Sequence, residues 1–199
     1  MTPDAIKKLA ALLAELPSLG PRQASRLAFH VAGLPAHQVQ QLTETLQAVA
    51  RIKRCTRCFV LDDLVAGVCS ICSQPRRDQA TIAIVEKETD VQTLEKTKAY
   101  QGRYLVLGSL PKDGVLEPHH RLRLQVLKDH IATLPGGIAE ELIIAFSPTT
   151  HGDTLAGVVA GQLHAQAKKI TRLGRGIPTG GEIEFADEDT LSSALKNRR

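Results

Sequence analysis

Residues 55–72 read Cys-Thr-Arg-Cys-Phe-Val-Leu-Asp-Asp-Leu-Val-Ala-Gly-Val-Cys-Ser-Ile-Cys and contain all four cysteines of the chain. They form two Cys-x-x-Cys pairs separated by ten residues, Cys55 with Cys58 and Cys69 with Cys72. Two such pairs are typical of four thiolates around one tetrahedral zinc ion. A disulfide pair is the alternative, but nothing in the sequence indicates export to an oxidising compartment. Because four thiolates leave zinc no open position, we predict one structural zinc per chain in a module spanning residues 54–78.

The region before the cysteines, residues 1–53, is predicted to be a helical unit. Apolar residues recur at steps of three and four up to Pro17, where a first helix ends. After a turn at Gly20, Pro21 opens a second helix that Gly33 breaks, and a third helix follows Pro35. The pattern therefore predicts three helices, of which the first two form a short hairpin.

The hairpin carries two arginines, Arg22 and Arg26, one turn apart on its second helix. Free backbone N–H groups at a helix start, together with two guanidinium groups, are suited to phosphate binding. The hairpin resembles the helix-hairpin-helix module, which binds nucleic-acid backbones without reading sequence. It departs from that module at Ser18, where glycine is usual, so the turn is strained if the position needs a positive φ. The alternative is an ordinary connection between two helices with solvated arginines. Four further basic residues favour DNA as the partner: Arg51, Lys53, Arg54 and Arg57.

Residues 79–174 alternate between strand and helix patterns. Short apolar runs at 82–85, 104–107, 142–146 and 170–173 are separated by stretches of helical periodicity. Strands that are apolar on both faces are typical of a parallel sheet covered by helices. We therefore predict an α/β multi-module chain whose main domain is a Rossmann-like parallel sheet.

Acidic residues follow the strands of this domain. Glu86 directly follows the first strand, at the edge where ligands of open α/β sheets gather, and Asp90 comes one turn later. This arrangement resembles the Toprim domain, in which such a glutamate acts in proton transfer and an Asp-x-Asp after the third strand holds magnesium. Here that strand is followed by Ser147-Pro-Thr149, so the Asp-x-Asp is absent. Asp153 is predicted to cap a helix starting at Thr154, and the three acids together are expected to bind magnesium weakly at most.

The last segment, residues 175–199, is predicted to be an extension with a strand and a short helix. It begins with a glycine-rich stretch and continues with an acidic run into a helix near Leu191. Such an extension packs on a neighbouring molecule or remains a solvated tail, and charge alone favours neither.

Composition excludes several classes of protein. The formal charge of +4 suits an anionic partner without requiring one, and 3% aromatic residues with no Trp disfavour a single-strand binder built on many stacking platforms. No apolar run approaches the roughly 20 residues of a membrane helix. Residues 1–14 carry Asp4, Lys7 and Lys8 instead of a signal-peptide core. We expect a cytoplasmic protein without membrane contact.

Taken in order, the hairpin, the four-cysteine module, the Toprim-like domain and the tail Gly176-Ile-Pro-Thr-Gly-Gly-Glu182 resemble the RecR family of bacterial recombination mediators. The resemblance covers nearly the whole chain and is most specific at residues 16–30, 55–78, 85–91 and 175–191. The departures are Ser18 and the stretch Thr150-His-Gly-Asp153, where the family tends to carry a glutamate before the glycine.

The resemblance implies a non-catalytic DNA-repair protein that forms a ring-shaped dimer or tetramer around single- or double-stranded DNA. It implies action with RecO and RecF to load RecA onto single strands coated by single-strand binding protein, and hence association with the nucleoid. By the same resemblance, Arg22 and Arg26 face DNA, and Glu86 with nearby acids such as Asp90 and Asp153 forms a surface for partner proteins. Two other classes remain: a magnesium-dependent Toprim nuclease or topoisomerase, and a zinc-containing scaffold that binds only proteins.

Overall fold

A computed structural model describes residues 2–111 and 113–198. Two end residues lie outside the described residues: Met1, which begins the predicted helical region, and Arg199, which ends the predicted extension. The chain divides between Ile52 and Lys53 into two compact units.

Three helices form within residues 2–52 of the first unit, as the apolar periodicity predicts. They are α1 (Asp4–Ala14), α2 (Pro21–Ala32) and α3 (Ala36–Val49). Pro21 at the first position of α2 begins the helix without losing a useful hydrogen bond, since that N–H would be unpaired. Ala24 and Ala28 are the only fully buried residues among those described in this unit.

The turn between α1 and α2 contains a strained residue. Ser18 has a φ of +65°, in the left-handed region that glycine adopts most easily. The sequence predicts a strained turn if Ser18 has a positive φ. Since Ser18 does have one, the predicted strain is present. The turn is closed by the Leu19 N–H, which donates to the Leu16 carbonyl at 3.2 Å.

The second unit contains the four-cysteine module, the sheet and the C-terminal extension. A small antiparallel hairpin, β1 (Lys53–Arg54) with β2 (Leu61–Asp62), begins it. The remaining strands are β3 (Thr81–Val85), β4 (Arg103–Val106), β5 (Ala139–Ala145) and β6 (Ala167–Arg172). The helices are α4 (Glu88–Lys96), α5 (Pro118–Ala132), α6 (Thr150–Leu163) and α7 (Glu188–Lys196).

The four long strands form one parallel sheet in the order β4-β3-β5-β6. Val85 pairs with Val106 on one side and with Ala145 on the other, so the carboxyl ends of β3, β4 and β5 lie at one edge. This confirms the predicted parallel α/β architecture. Strand β6 is half exposed and carries charged residues, as suits an edge strand.

Alternate residues of the sheet enter two different cores. Ile82, Ile84 and Leu142 pack with apolar residues of α5 and α6 on one face. On the other face, Val85 and Val106 pack with α4 and with the cysteines of the four-cysteine module. The module is therefore part of the domain core, and it covers the sheet where a doubly wound fold would place a helix.

Two expectations for the C-terminal half are wrong. No strand forms within 175–198, which contain a 3₁₀ turn at Ile183–Phe185 followed by α7, because this segment does not pair with the free edge of β6 or with any other described strand. Helix α6 begins at Thr150, four residues earlier than predicted, and its cap is Thr149. Asp153 thus lies within the first turn of α6 and does not cap it.

Across residues 2–111 and 113–198, none of the helices combines the length and the apolar character that spanning a bilayer requires.

Candidate metal centre and nucleic-acid interface

The four cysteines converge on one point. Their Sγ atoms all lie within 4.8 Å of one another, and the Cys58 and Cys69 sulfurs are 3.4 Å apart. All four side chains are buried, and none forms a disulfide. A tetrahedron with metal–sulfur distances of about 2.3 Å has sulfur–sulfur edges of roughly 3.8 Å. The cluster is thus of the size that a four-thiolate metal site needs.

Local turns hold the sulfurs in place. After the first pair the Phe59 N–H donates to the Cys55 carbonyl at 3.0 Å, and after the second the Ser73 N–H donates to the Cys69 carbonyl at 3.0 Å. Backbone N–H groups also point at sulfur: those of Cys69 and Cys72 lie 3.4 Å from the Cys55 and Cys69 Sγ atoms. Such donors stabilise negative charge on sulfur, as thiolate ligands require.

The electrostatics of the cluster fit a divalent cation. Hydrogen bonds from Cys58 and Cys69 lower the pKa of Cys72 to about 4, with a smaller contribution from Arg103. Hydrogen bonds to Cys69 and Cys72, together with burial, raise the pKa of Cys58. Four thiolates at this spacing repel one another, so a cation at their centre is what allows all four to ionise. The residues therefore form a site that could hold a metal ion such as zinc.

The four-cysteine module is joined to the edge of the sheet. The Val106 N–H, at the end of β4, donates to the Cys58 carbonyl at 2.8 Å. The Arg123 guanidinium stacks over the Phe59 ring at 5.1 Å and donates to the Val106 carbonyl at 3.0 Å. The position of the cysteines thus sets the end of β4.

A second group of potential ligands, Glu117 with His119 and His120, was not singled out from the sequence. His120 is fully buried, and its Nδ1 accepts from the Glu117 N–H at 3.1 Å while its Nε2 lies 2.9 Å from the Ser109 carbonyl. Both ring nitrogens are therefore engaged, and this group has a capping role at the start of α5.

The predicted DNA-contacting arginines lie on an open surface. Arg22 and Arg26 are exposed in the first two turns of α2, and neither forms an ion pair with a described residue. Arg51 and Lys53 are also exposed without an ion-pair partner in the described part of the chain. Arg54 differs, because its guanidinium pairs with Glu88 of α4 and donates to the Phe59 carbonyl at 2.9 Å.

The three predicted acidic residues do not form a common site. Glu86 follows β3 as expected, and its Oε1 accepts from the Ser147 N–H at 2.8 Å. Asp90 accepts from the Lys87 N–H at 3.0 Å at the start of α4. Asp153 pairs with Arg172 at 3.2 Å and with Arg175, whose hydrogen bond lowers the pKa of Asp153. No three-residue group of potential ligands among the described residues contains any of these acids, and each carboxylate already has its own hydrogen-bond or ion-pair partner.

Three arginines of the second unit have roles that the sequence patterns did not predict. Arg172 and Arg175 hold Asp153, although Arg175 lies 22 residues from it. Arg103 opens β4 and is almost fully buried. One signal was available for Arg103: a charged residue stands directly before the buried run Tyr104–Leu107.

The fold and the site together define a Toprim-domain protein that carries a module of four clustered cysteines able to hold a metal ion. The family model of the Toprim domain matches residues 80–174, and the model described as "RecR, C-terminal" matches residues 176–199.

Curated relatives specify the family. The chain is 37% identical to recombination protein RecR of Myxococcus xanthus, over all of this chain and 99% of that protein. It is 39% identical to recombination protein RecR of Rubrobacter xylanophilus and 38% identical to that of Acidothermus cellulolyticus, in each case over 98% of this chain and 96% of the relative. The chain belongs to the RecR family of recombination proteins.

Proposed function

We propose that this chain is a non-catalytic mediator of DNA repair and recombination that binds DNA as an oligomeric ring or clamp. It acts with RecO and RecF to promote RecA loading onto single-stranded DNA coated by single-strand binding protein. The observation that carries the DNA-binding part of the proposal is the pair of exposed arginines, Arg22 and Arg26, at the start of α2.

The chemistry of this helix start suits a phosphate backbone. Arg22 and Arg26 are four residues apart, so they lie on one face of α2 beside the unpaired N–H groups of its first turn. Guanidinium groups bind phosphate through paired hydrogen bonds, and the helix dipole adds positive potential. Contacts of this kind do not read bases, which agrees with a protein that acts on DNA of any sequence. Arg51 adds positive charge to the same unit, and Lys53 adds it separately to the second unit.

Replacing Arg22 and Arg26 together by alanine is expected to weaken DNA binding without unfolding the chain. Each lost phosphate contact reduces the slope of log K against log salt by about one, so the double variant should show a slope lower by about two. The measurement is a titration of single- and double-stranded DNA at several salt concentrations, with protein folding checked by circular dichroism.

The matched control removes two positive charges elsewhere, by replacing Arg121 and Lys128 of α5 with alanine. Net charge then changes equally in both variants, so only the hairpin variant should lose salt dependence. An unchanged salt slope in the hairpin variant would contradict the proposed interface. Including magnesium and running the DNA on a gel tests the non-catalytic assignment, which magnesium-dependent nicking would overturn.

The surface of the first unit supports self-association. Several of its large apolar side chains are exposed: Leu12, Leu16, Phe29, Leu42, Leu46 and Val49. Helix α3 has no buried residue at all, although its apolar residues recur at helical spacing. Apolar surface of this extent is typical of an interface, and we propose that a second copy of the chain covers it.

Introducing charge on α3 is expected to shift the oligomer toward monomers. Leu42 and Leu46 are 42% and 60% exposed, so aspartate at both positions disturbs little within one chain but places buried charge in the interface. Sedimentation velocity should show a dimer or tetramer for the parent chain and mainly monomer for Leu42→Asp with Leu46→Asp. Thr43→Asp with Gln47→Asp, which adds equal charge at polar positions of the same helix, serves as the control. Identical sedimentation of the parent and the leucine variant would exclude this surface.

For the partner proteins we propose the carboxyl edge of the sheet as the binding surface, where Glu86, Asp90 and Asp153 lie near the ends of β3 and β5.

The non-catalytic assignment is supported at the same edge of the sheet. After β5, where a Toprim enzyme has Asp-x-Asp, Ser147 and Thr149 stand instead, and the Thr149 hydroxyl accepts from the Gly152 N–H. We also propose zinc as the metal bound by Cys55, Cys58, Cys69 and Cys72.

A further inference from the structure

Among the described residues of the second unit two arginines are buried, and they differ in what balances their charge. Arg77 is 8% exposed and Arg103 is 4% exposed. The Arg77 guanidinium forms two hydrogen bonds with the Glu95 carboxylate and lies over the Tyr104 ring at 5.9 Å. The charge of Arg77 is therefore neutralised by an ordinary ion pair.

Arg103 has no such partner. Its Nη1 donates to the Gln79 Oε1 at 2.6 Å and lies 3.3 Å from the His130 Nε2, and its Nη2 lies 3.5 Å from the Cys72 carbonyl. No carboxylate oxygen of a described residue lies within 4.0 Å of its guanidinium nitrogens. Burial and the Arg103 charge lower the pKa of His130, so this imidazole stays neutral. Among the described residues, the hydrogen-bonding partners of Arg103 are therefore all uncharged.

A buried charge without a counter-charge is costly, commonly by several kcal/mol, so proteins pair such groups. The cysteine cluster lies beside Arg103: the Arg103 Nη2 is 3.5 Å from the Cys72 carbonyl, and the next residue of β4, Tyr104, packs in one core with the four cysteines. Four thiolates around one Zn²⁺ carry a formal net charge of minus two in an equally buried position. The two excess charges are opposite in sign and adjacent.

We propose that Arg103 is the counter-ion of the zinc–tetrathiolate centre: it balances part of the negative charge of the four cysteines and thereby raises their affinity for zinc. This inference rests on the proposed zinc occupancy. It makes Arg103 a positioning residue that acts through the ligands without being one. It also explains why a charged side chain occupies the first position of a buried strand, since β4 lies against the four-cysteine module.

The test measures zinc affinity by competition with a chromogenic chelator for the full chain and three variants. Arg103→Gln keeps a hydrogen-bond donor but removes the charge, and loss of a group supporting metal ligands typically reduces affinity by about 10- to 100-fold. Arg103→Lys keeps the charge and should remain within about threefold of the parent. Arg77→Gln removes a buried arginine that has its own carboxylate, so zinc affinity should not change even if stability falls. Equal zinc affinity in Arg103→Gln and the parent would overturn the proposal.

A fourth variant, Cys72→His, separates the effect of charge from that of shape. Cys72→His replaces one thiolate by a neutral ligand that zinc accepts, which reduces the formal charge of the centre to minus one. Adding Arg103→Gln in this background should cost less than threefold in zinc affinity, because less negative charge remains to be balanced. An equal loss in both backgrounds would show that Arg103 acts by shape alone. A parent chain without stoichiometric zinc would instead refute the zinc assignment itself.

Discussion

Replacing Cys58 by serine is expected to abolish stoichiometric zinc binding and to unfold the four-cysteine module, the largest single effect we predict. Zinc binding contributes about 10–16 kcal/mol to the folding of small metal modules. The variant has three thiolates instead of four, so it retains only part of this binding free energy. Outside the cysteines, residues 55–72 contribute only Val60 to the buried apolar core, so the apolar contacts of this segment are too few to hold it.

The damage should extend into the sheet. The Cys58 carbonyl accepts from the Val106 N–H, and the cysteines share a core with Val85 and Val106. Unfolding of the module would therefore expose one face of β3 and β4 and free the end of β4. Zinc content by elemental analysis, thermal unfolding, and hydrogen exchange at the Val106 amide report these effects separately. Chelation of zinc from the parent chain should reproduce the same changes.

The control for this variant is Ser73→Ala, in the same module. The Ser73 hydroxyl donates to the Ser70 carbonyl at an exposed position, so its loss should cost at most about 1 kcal/mol and leave zinc content unchanged. A Cys58→Ser protein with one zinc per chain and parental thermal stability would show that the cluster does not support the fold as we describe.

Replacing Gly152 by alanine is expected to destabilise the second unit by about 3 kcal/mol or more, because the added methyl group has nowhere to go. A Cβ at this position would lie 2.2 Å from the Ser147 carbonyl oxygen, and a backbone atom cannot move aside as a flexible side chain can. The turn is also fixed by two hydrogen bonds: Gly152 N–H to Thr149 Oγ1 at 3.0 Å, and Thr149 N–H to the Ser147 carbonyl at 2.8 Å.

The consequence reaches the proposed partner surface. The Ser147 N–H donates to Glu86, so a displaced turn would release that carboxylate and change the carboxyl edge of the sheet. Chemical denaturation measures the stability change. Gly157→Ala, later in α6, is the control, since its added Cβ would meet nothing within 4 Å and alanine favours a helix by up to about 1 kcal/mol. A Gly152→Ala protein as stable as the Gly157→Ala protein would contradict the steric argument.

The order of the elements follows from local patterns. Helical periodicity between Pro21 and Gly33 predicts where α2 begins and ends, and the observed helix ends one residue before Gly33. The prediction succeeds because the ends of a helix depend on neighbouring residues. Apolar runs likewise predict all four parallel strands. The two Cys-x-x-Cys pairs predict the cysteine cluster, since the two-residue gap lets each pair turn both sulfurs toward one point. The strand expected in residues 175–199 had no such support, because a strand also needs a partner.

What only the tertiary structure decided is the partner of each charged side chain. The sequence predicts Arg54 only as one of several basic residues, whereas in the fold it forms an ion pair with Glu88, 34 residues away. Asp153 likewise meets Arg175 across 22 residues, which removes it from any shared magnesium site. Burial of Arg103 beside Cys72 joins positions 31 residues apart. Such pairs depend on which strands and loops are neighbours in space, and an ion pair leaves no periodic signal in the sequence. The sequence alone thus determined the modules and the cysteine cluster, and the tertiary structure decided which charged side chains are paired, because it sets which distant residues become neighbours.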